Sequence, residues 1–371
     1  MHTKHFWQRA VELWIGDDDL PPGRSDPHLA HFSIAHDQAY ILPALNQARA
    51  LDPGVALLAS SWTPPAWMKR NDSLGNVNDA GTLRAAAYGP WAAYIVKFIE
   101  AYARAGVPIT ALSAANEDGT PTIYPGLNMS LASLSSWIGQ DLVPALNRAR
   151  LHPKLYAADW GWGTSLRRDQ AALTGTTVDE YAGVAWHCYF GSPDVMNAIH
   201  SQTPRLDQIV DQCSPGISAI PISEVVISSL RDWASTVALW NLALDPTGGP
   251  VQAPNHGCPG CTGLVTINEN GGALTFNLAY YQLGQASAFV QPGAQRIESG
   301  NFVTYTYHKP GVNFVSAGLD DVAFANPDGT RALIAYNNGT QPTPFAVDWH
   351  GNYFQYTLPA AATVTFEWDR R

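Results

Sequence analysis

The segments YGPWAAYIVKFIEAYARAG (88–106) and ITALSAANE (109–117) decide the architecture of this chain. The first has the pattern of an amphipathic helix, and the second is an apolar strand that ends on Asn116-Glu117. Similar helix and strand units recur along the chain, and the strands are continuously apolar rather than alternating. This combination indicates a parallel sheet that is buried on both faces.

The apolar runs predict seven strands, at residues 11–16, 55–62, 109–117, 154–160, 184–190, 207–212 and 236–244. The helices between them cover residues 37–51, 88–106, 131–150, 192–200 and 222–234, and a final helix covers residues 276–290. The predicted fold class is therefore α/β, a (β/α)8 TIM barrel whose first strand is apparently missing.

Beyond residue 291 the pattern changes to short β segments separated by turn signals, such as NPDG within VAFANPDGTRALIAYNN (322–338). Short strands joined by tight turns are typical of an antiparallel sandwich. We therefore predict a catalytic barrel at residues 11–291 and a C-terminal antiparallel β-sandwich side domain at residues 292–371.

Composition excludes several classes of partner. The formal net charge of −10 argues against nucleic acid or an anionic membrane surface, because those partners require Lys and Arg. No apolar run is long enough to predict a membrane span. Residues 1–14 lack the apolar run and cleavage site of a secretory signal, so the sequence predicts no localisation.

The cysteines do not predict a metal centre. Cys258-Pro-Gly-Cys261 is compatible with a local disulfide or with half of a zinc site. No second CxxC or HxxxH accompanies it, so we expect neither a metal nor another cofactor.

In a β/α barrel the active site lies at the carboxyl ends of the strands. Here the predicted strand ends carry acids, amides and aromatic side chains: Asp17, Asp18, Asp19, Ser61, Trp62, Asn116, Glu117, Asp159, Trp160, His187, Tyr189, Asp211, Gln212, Trp240 and Asn241. Polar groups can bind sugar hydroxyls, while aromatic rings stack on the apolar face of a sugar. The strand ends therefore predict a carbohydrate site.

Six motifs strengthen this prediction: SSWTPPAWMK (60–69), ANE (115–117), AWHCY (185–189), WNLALDPTGGP (240–250), YYQLGQASAFVQPGAQRI (280–297) and VAFANPDGTRALIAY (322–336). In order and spacing they resemble a bacterial-type member of glycoside hydrolase family 30, the family of glucosylceramidase-like retaining β-glycosidases. The resemblance runs from about residue 13 to the C-terminus. It implies a (β/α)8 barrel with a side β-sandwich, and a carbohydrate or glycolipid substrate.

The resemblance assigns the general acid/base to Glu117, since the family places this Glu at the end of its fourth strand after an Asn. Such a group protonates the leaving oxygen and later activates water. Asp118 departs from the family pattern, which usually has Pro at this position.

The family's nucleophile is a Glu at the end of its seventh strand, within a T-E-C-S-G-G-like run. Counted without gaps from Pro204, this position holds Gln212. An amide oxygen is a far poorer nucleophile than a carboxylate and carries no charge to balance an oxocarbenium-like transition state.

Two nearby acids are alternatives to Gln212. Asp211 precedes it, but adjacent strand residues point to opposite faces. Glu224 is an alternative nucleophile in ISEVVISS, although Glu224, Ser228 and Arg231 form one polar stripe, which predicts a solvent-exposed helix face.

The resemblance also assigns sugar-binding roles to Asp19, Trp62, Asn116, Tyr124, His187, Tyr189, Trp240 and Asn241. From the residues alone, barrel packing is an alternative role for Trp240, and a core histidine is an alternative for His187. The family's first barrel strand precedes residue 10, where this sequence is dissimilar. We therefore expect a truncated or mis-assigned N-terminus.

The sequence thus predicts a glycoside hydrolase of the retaining β-glycosidase type, acting on a β-glucosyl, glucosylceramide-like or β-glucan substrate. Because Gln212 occupies the nucleophile position, hydrolysis is expected to be impaired. The alternative is a catalytically inactive carbohydrate-binding pseudoenzyme.

Overall fold

The computed structural model describes residues 10–13, 20–21, 23–77, 81–121, 124–162, 176–217, 220–249, 260–300 and 318–369. Asp17, Asp18, Asp19 and Cys258 lie outside this part of the chain. So do most of the β segments predicted between residues 302 and 318.

Parallel strands form the central sheet in the order of the chain. They are β1 (Ala10–Leu13), β2 (Leu58–Ser61), β3 (Ala111–Ser113), β4 (Lys154–Gly161), β5 (Tyr181–His187), β6 (Asp207–Gln212) and β7 (Ala234–Val237). Each strand pairs in parallel with the next, as repeated strand–helix units require. Within the described residues the sheet has seven strands, which confirms the predicted number.

Helices connect the strands, and their bounds are Ile41–Leu51, Tyr88–Arg104, Leu131–Trp137, Val143–Arg148, Asp194–Gln202, Ile222–Arg231 and Leu278–Ser287. The helix predicted at 131–150 contains a π-helical turn, Ile138–Leu142, just before Pro144. Two buried indoles, Trp91 and Trp137, stack with ring centroids 3.8 Å apart and join neighbouring helices. None of the described helices is long and apolar enough to cross a membrane.

The inside of the barrel is lined by alternate strand residues. Leu58, Ala111, Tyr156, Ala185 and Ile209 form a buried cluster contributed by five neighbouring strands. Because every second strand residue shares a face, the positions two residues further on point inward just below the rim. On four of the strands those positions are occupied by Ser60, Ser113, His187 and Asp211, while β4 is irregular after Ala158.

Several predicted strands extend beyond the observed ones. The strand predicted at 236–244 ends at Val237, and the chain turns at Asn241, which has φ of +71°, before the short strand β8 (Ala243–Leu244). Asn tolerates this left-handed conformation better than most residues. The strand predicted at 109–117 likewise ends at Ser113, so Glu117 lies on a loop rather than on a strand.

One small sheet joins β8, β9 (Val265–Asn268) and β10 (Ala273–Phe276), with β9 parallel to β8 and antiparallel to β10. The C-terminal part of the chain is antiparallel, as predicted. Beyond the last helix, β11 (Gln295–Ile297), β12 (Leu319–Ala325), β13 (Arg331–Asn337) and β16 (Thr363–Trp368) form a four-stranded sheet. β14 (Thr343–Trp349) and β15 (Asn352–Leu358) form a separate ribbon.

The polar stripe of helix Ile222–Arg231 is not solvent-exposed, contrary to the prediction from its periodicity. Glu224 and Ser228 are 0% exposed, and Arg231 Nη1 forms a 3.0 Å ion pair with Asp321 of β12. The stripe therefore faces the β-sandwich. Periodicity reveals a polar face but not whether solvent or another sheet covers it.

Candidate active site

Glu117 lies on the loop that follows β3. Its backbone adopts φ of +44°, and its N–H donates to the carbonyl oxygen of Asp159 at 3.0 Å. The preceding Asn116 donates its N–H to Ser61 O at 2.8 Å, which ties the same loop to β2. The carboxylate of Asp118 accepts the N–H of Met129 at 2.7 Å and so organises the following segment.

His187, the last residue of β5, connects two acids. Its Nδ1 lies 2.8 Å from Glu117 Oε1, and its Nε2 lies 2.8 Å from Asp159 Oδ1. Burial alone lowers the pKa of His187, but hydrogen bonds and charge from Asp159 and Glu117 outweigh burial and raise this pKa to about 10. His187 is therefore an imidazolium at neutral pH, with one N–H directed at Glu117 and the other at Asp159.

A bulge in β4 brings Asp159 to this imidazolium. The pairing of β4 with β5 skips Asp159, and both Ala158 and Asp159 have positive φ, +70° and +54°. The extra residue re-aims the side chain toward the barrel axis. There Asp159 Oδ2 accepts from Ser60 Oγ at 2.5 Å. Burial opposes ionisation of Asp159, but the His187 and serine hydrogen bonds prevail and lower its pKa.

Gln212 ends β6, and its Nε2 donates to the hydroxyl of Tyr189 at 3.2 Å. Burial raises the pKa of Tyr189, and the negative charge of Glu117 raises it further. Glu117 and Gln212 therefore both lie near the Tyr189 hydroxyl. A disulfide between Cys188 and Cys213 joins the chain next to Tyr189 to the chain next to Gln212. This bridge fixes the two strand ends relative to each other.

Three aromatic rings gather beside Glu117. Trp62 stacks on Trp240 with centroids 5.3 Å apart and an interplanar angle of 26°, and it contacts Tyr124 at 5.6 Å. Burial, together with the charge of Glu117, raises the pKa of Tyr124 to about 12. All three side chains are half-buried, so they leave ring surface open to a ligand. Next to Trp240, the buried Asn241 Oδ1 has no hydrogen-bond partner in the described structure.

Lys69 anchors the loops that carry two of these rings. Its side chain is completely buried, and its Nζ contacts Thr63 Oγ1 at 3.0 Å and the carbonyl oxygens of Leu74, Gly75 and Gly126 at 2.6, 2.9 and 2.5 Å. Burial lowers the pKa of Lys69 to about 7. One ammonium group therefore links the segment after Trp62 to the segment after Tyr124.

The structure brings most of the predicted site residues together. Trp62, Asn116, Glu117, Tyr124, His187, Tyr189, Gln212, Trp240 and Asn241 lie at or next to the strand ends, whereas Asp19 is outside the described residues. Glu224 is not part of this group, because it lies on a helix beside Asp320 of the sandwich. Its pKa is raised to about 10 by burial and by that neighbouring acid.

Three features of the site did not follow from the sequence. Asp159 reaches His187 only because of the bulge, the disulfide joins two cysteines outside the CxxC motif, and Asp211 lies inside the barrel. Asp159, His187 and Asp211 each offer one atom that could bind a metal ion, and these three atoms lie within 4.8 Å of one another. Since hydrogen bonds already engage both imidazole nitrogens at 2.8 Å, this cluster is a proton-sharing network rather than a set of metal ligands.

Comparison with known proteins yields several matches. The model of the glycosyl hydrolase family 30 TIM-barrel domain matches residues 19–258, and that of the family 30 β-sandwich domain matches residues 293–366. Endo-1,6-beta-D-glucanase neg1 of Aspergillus fumigatus is 32% identical over 335 residues, 85% of this chain. Lysosomal acid glucosylceramidase of Mus musculus is 26% identical over 94% of this chain and 69% of its own length.

A solved structure of an endo-β1,6-glucanase superimposes with a TM-score of 0.79 at 26% identity, covering 92% of this chain and 77% of that one. This chain spans 65% of the length of the Aspergillus relative. The two family models cover the barrel and the sandwich, and the chain belongs to glycosyl hydrolase family 30.

Proposed function

We propose that this protein binds β-linked glucose chains of the 1,6-β-glucan class and hydrolyses them weakly or not at all. Glu117 is the general acid/base, and Gln212 occupies the position of the nucleophile. The observation that carries the proposal is the contrast between these two residues. Glu117 is held by an imidazolium at 2.8 Å, while the other strand end presents an uncharged amide.

Glu117 is suited to proton transfer by its surroundings. Its side chain is 16% exposed, so it is accessible from the cleft, while its Oε1 is fixed by His187. The proposed acid protonates the oxygen of the leaving sugar and, after departure, takes a proton from the attacking water. The Trp62–Trp240 stack next to it offers a surface for the sugar rings.

Gln212 cannot complete a retaining mechanism in the usual way. Its amide nitrogen donates to Tyr189, and its oxygen carries no formal charge that could stabilise a developing oxocarbenium ion. Loss of the nucleophile raises the barrier by roughly 5–6 kcal/mol, a rate loss of about 10^4-fold.

The choice of substrate class is supported by the relatives. A curated relative and a solved structure similar to this chain are both described as endo-1,6-β-glucanases, and a more distant relative is described as a glucosylceramidase. We therefore place 1,6-β-glucan first and a β-glucosyl lipid second. Asp19, Asn116 and Asn241 are proposed to bind sugar hydroxyls.

A second candidate function is a carbohydrate-binding pseudoenzyme. The contact between Gln212 Nε2 and Tyr189 favours it, because the amide is integrated into the hydrogen bonding of the site. This candidate shares the aromatic surface and differs in having no turnover even when Gln212 is replaced by Glu.

The test compares the unaltered chain with Gln212→Glu on an aryl β-glucoside and on 1,6-β-glucan oligosaccharides, with binding measured by calorimetry. We expect binding by both proteins and a large gain of hydrolysis in Gln212→Glu. Adding Glu117→Gln to that variant provides the matched control and should abolish the gain. Binding without turnover in both forms selects the pseudoenzyme, and strong hydrolysis by the unaltered chain contradicts the assignment of Gln212.

A further inference from the structure

Asp211 is a buried acid of the site that the roles of Glu117 and Gln212 leave unexplained. It lies two residues after Ile209 on the inward face of β6. Its side chain is 3% exposed, and its Oδ1 has no hydrogen-bond partner among the described residues. A carboxylate buried this deeply with one oxygen left without a donor is strongly disfavoured, so an ionised Asp211 is hard to reconcile with its position.

The neighbouring acid, Asp159, has the opposite environment. It accepts hydrogen bonds from His187 Nε2 at 2.8 Å and from Ser60 Oγ at 2.5 Å. Asp211 has its own backbone N–H as a donor in place of the imidazolium and serine donors of Asp159; its carboxyl group hydrogen-bonds that of Asp159, and its Oδ1 lies 3.8 Å from His187 Nε2. Two carboxyl groups can share a hydrogen bond only when one of them is protonated. The donors around Asp159 place the proton on Asp211.

The charged and titratable groups around Asp211 agree with this assignment. They are Tyr156 and Asp159 on β4, His187 and Tyr189 at the end of β5, Asp207 on β6, and Glu117 on the far side of His187. Burial, followed by the charge of Asp159, raises the pKa of Asp211 well above its usual range, and the opposing charge of His187 does not compensate.

We propose that Asp211 is a positioning residue that donates its carboxyl proton to Asp159 and thereby fixes the Asp159–His187–Glu117 hydrogen-bond chain. This inference rests on the proposed function only in taking Glu117 as the acid/base. Both Asp211 and His187 donate to Asp159, and His187 also donates to Glu117, so the orientation of Glu117 depends on a donor at position 211. A neutral Asp211 also adds no negative charge beside position 212.

The kinetic test uses the Gln212→Glu variant as its background and compares Asp211→Asn with Asp211→Leu. Asn keeps an N–H donor of the same shape, whereas Leu has a similar volume and no donor. We expect Asn to retain kcat within about twofold and Leu to lose about tenfold or more, with little change in KM. Equal kcat values for the Asn and Leu variants would overturn the proposal.

The second test needs no hydrolysis and uses the unaltered chain. Because the pKa of Asp211 is raised on folding, its contribution to stability is complete below about pH 4 and is lost as the pH rises. Asn does not titrate. The melting temperature of Asp211→Asn should therefore rise relative to that of the unaltered chain as the pH is raised above about 4.

Asp207→Asn is the matched control, because it removes a carboxyl group from the same strand. The Asp207 carboxylate accepts a hydrogen bond from the Tyr156 hydroxyl and is not part of the Asp159–His187–Glu117 hydrogen-bond chain. Its melting temperature should not show the rise of Asp211→Asn. A pH-independent difference between Asp211→Asn and the unaltered chain refutes a proton on Asp211. If Gln212→Glu shows no hydrolysis, the proposed function fails, and the stability series still decides the role of Asp211.

Discussion

Replacing Lys69 with Met tests whether one buried ammonium group organises the sugar-binding loops. Met has a similar unbranched shape but no charge and no donor. The change leaves four oxygen atoms without the group they contact, the Thr63 hydroxyl and the carbonyls of Leu74, Gly75 and Gly126. The hydroxyl of Thr63 can turn to Pro64 O, which already lies 3.0 Å away. Leu74 O also accepts from the N–H of Gly126 at 3.0 Å, and Gly75 O from Asn71 Nδ2 at 2.9 Å, whereas Lys69 is the donor described for Gly126 O.

The magnitude follows from the charged hydrogen bonds that the carbonyls lose. A hydrogen bond to a charged group is worth about 1.5–3 kcal/mol, so the three bonds from Lys69 to carbonyl oxygens are worth roughly 4.5–9 kcal/mol before any relaxation. Against this, the unaltered chain bears the desolvation of the ammonium group, which is several kcal/mol. We therefore expect Lys69→Met to lower the free energy of unfolding by about 2–4 kcal/mol.

The assay is denaturant unfolding below pH 7, where Lys69 is charged because its pKa is about 7. Calorimetry of sugar binding accompanies it, since Trp62 and Tyr124 lie on the linked segments. The affinity should fall about tenfold if the rings lose their fixed positions. Lys97→Met is the matched control, because Lys97 Nζ contacts a single carbonyl, that of Leu29, at 2.7 Å. Equal losses of stability in the two variants would refute the reasoning.

Three further predictions concern other parts of the site. Trp62→Ala should weaken sugar binding by about 1–3 kcal/mol in calorimetry while leaving the melting temperature nearly unchanged, since the ring is half-buried at the rim. Glu224→Gln should leave hydrolysis by the Gln212→Glu variant unchanged, because Glu224 faces the sandwich and, with a pKa of about 10, is neutral at pH 7. A loss of turnover in this double variant would contradict the prediction. Replacing Cys188 and Cys213 together with Ser opens a bridge of sequence separation 25 and should cost about 3 kcal/mol in denaturant unfolding, with no effect expected if the bridge is absent in solution.

The fold was predictable because the strands are apolar along their whole length and alternate with amphipathic helices along the chain. The same regularity located the rim, so Glu117, His187 and Gln212 were found from their positions at strand ends. Strand lengths were less predictable, because the turn at Asn241 depends on a single left-handed residue inside an apolar run.

Contacts between distant segments were not predictable. The polar stripe of helix Ile222–Arg231 is covered by a sheet formed about 100 residues later in the chain, which no local pattern discloses. The bulge that re-aims Asp159 similarly needs the register of two paired strands. Asp211 looked like an alternative to Gln212, but its place in the barrel makes it a buried neighbour of His187 instead.

The contact between Gln212 Nε2 and Tyr189 bears on how easily this protein can change its chemistry. A carboxylate at position 212 can accept a hydrogen bond from the same hydroxyl, which only has to rotate about its C–O bond. The codons of Gln and Glu differ at the first base alone. Under the proposed function, one point mutation would thus exchange an amide for a carboxylate at the nucleophile position and convert a binding protein into a hydrolase, or the reverse.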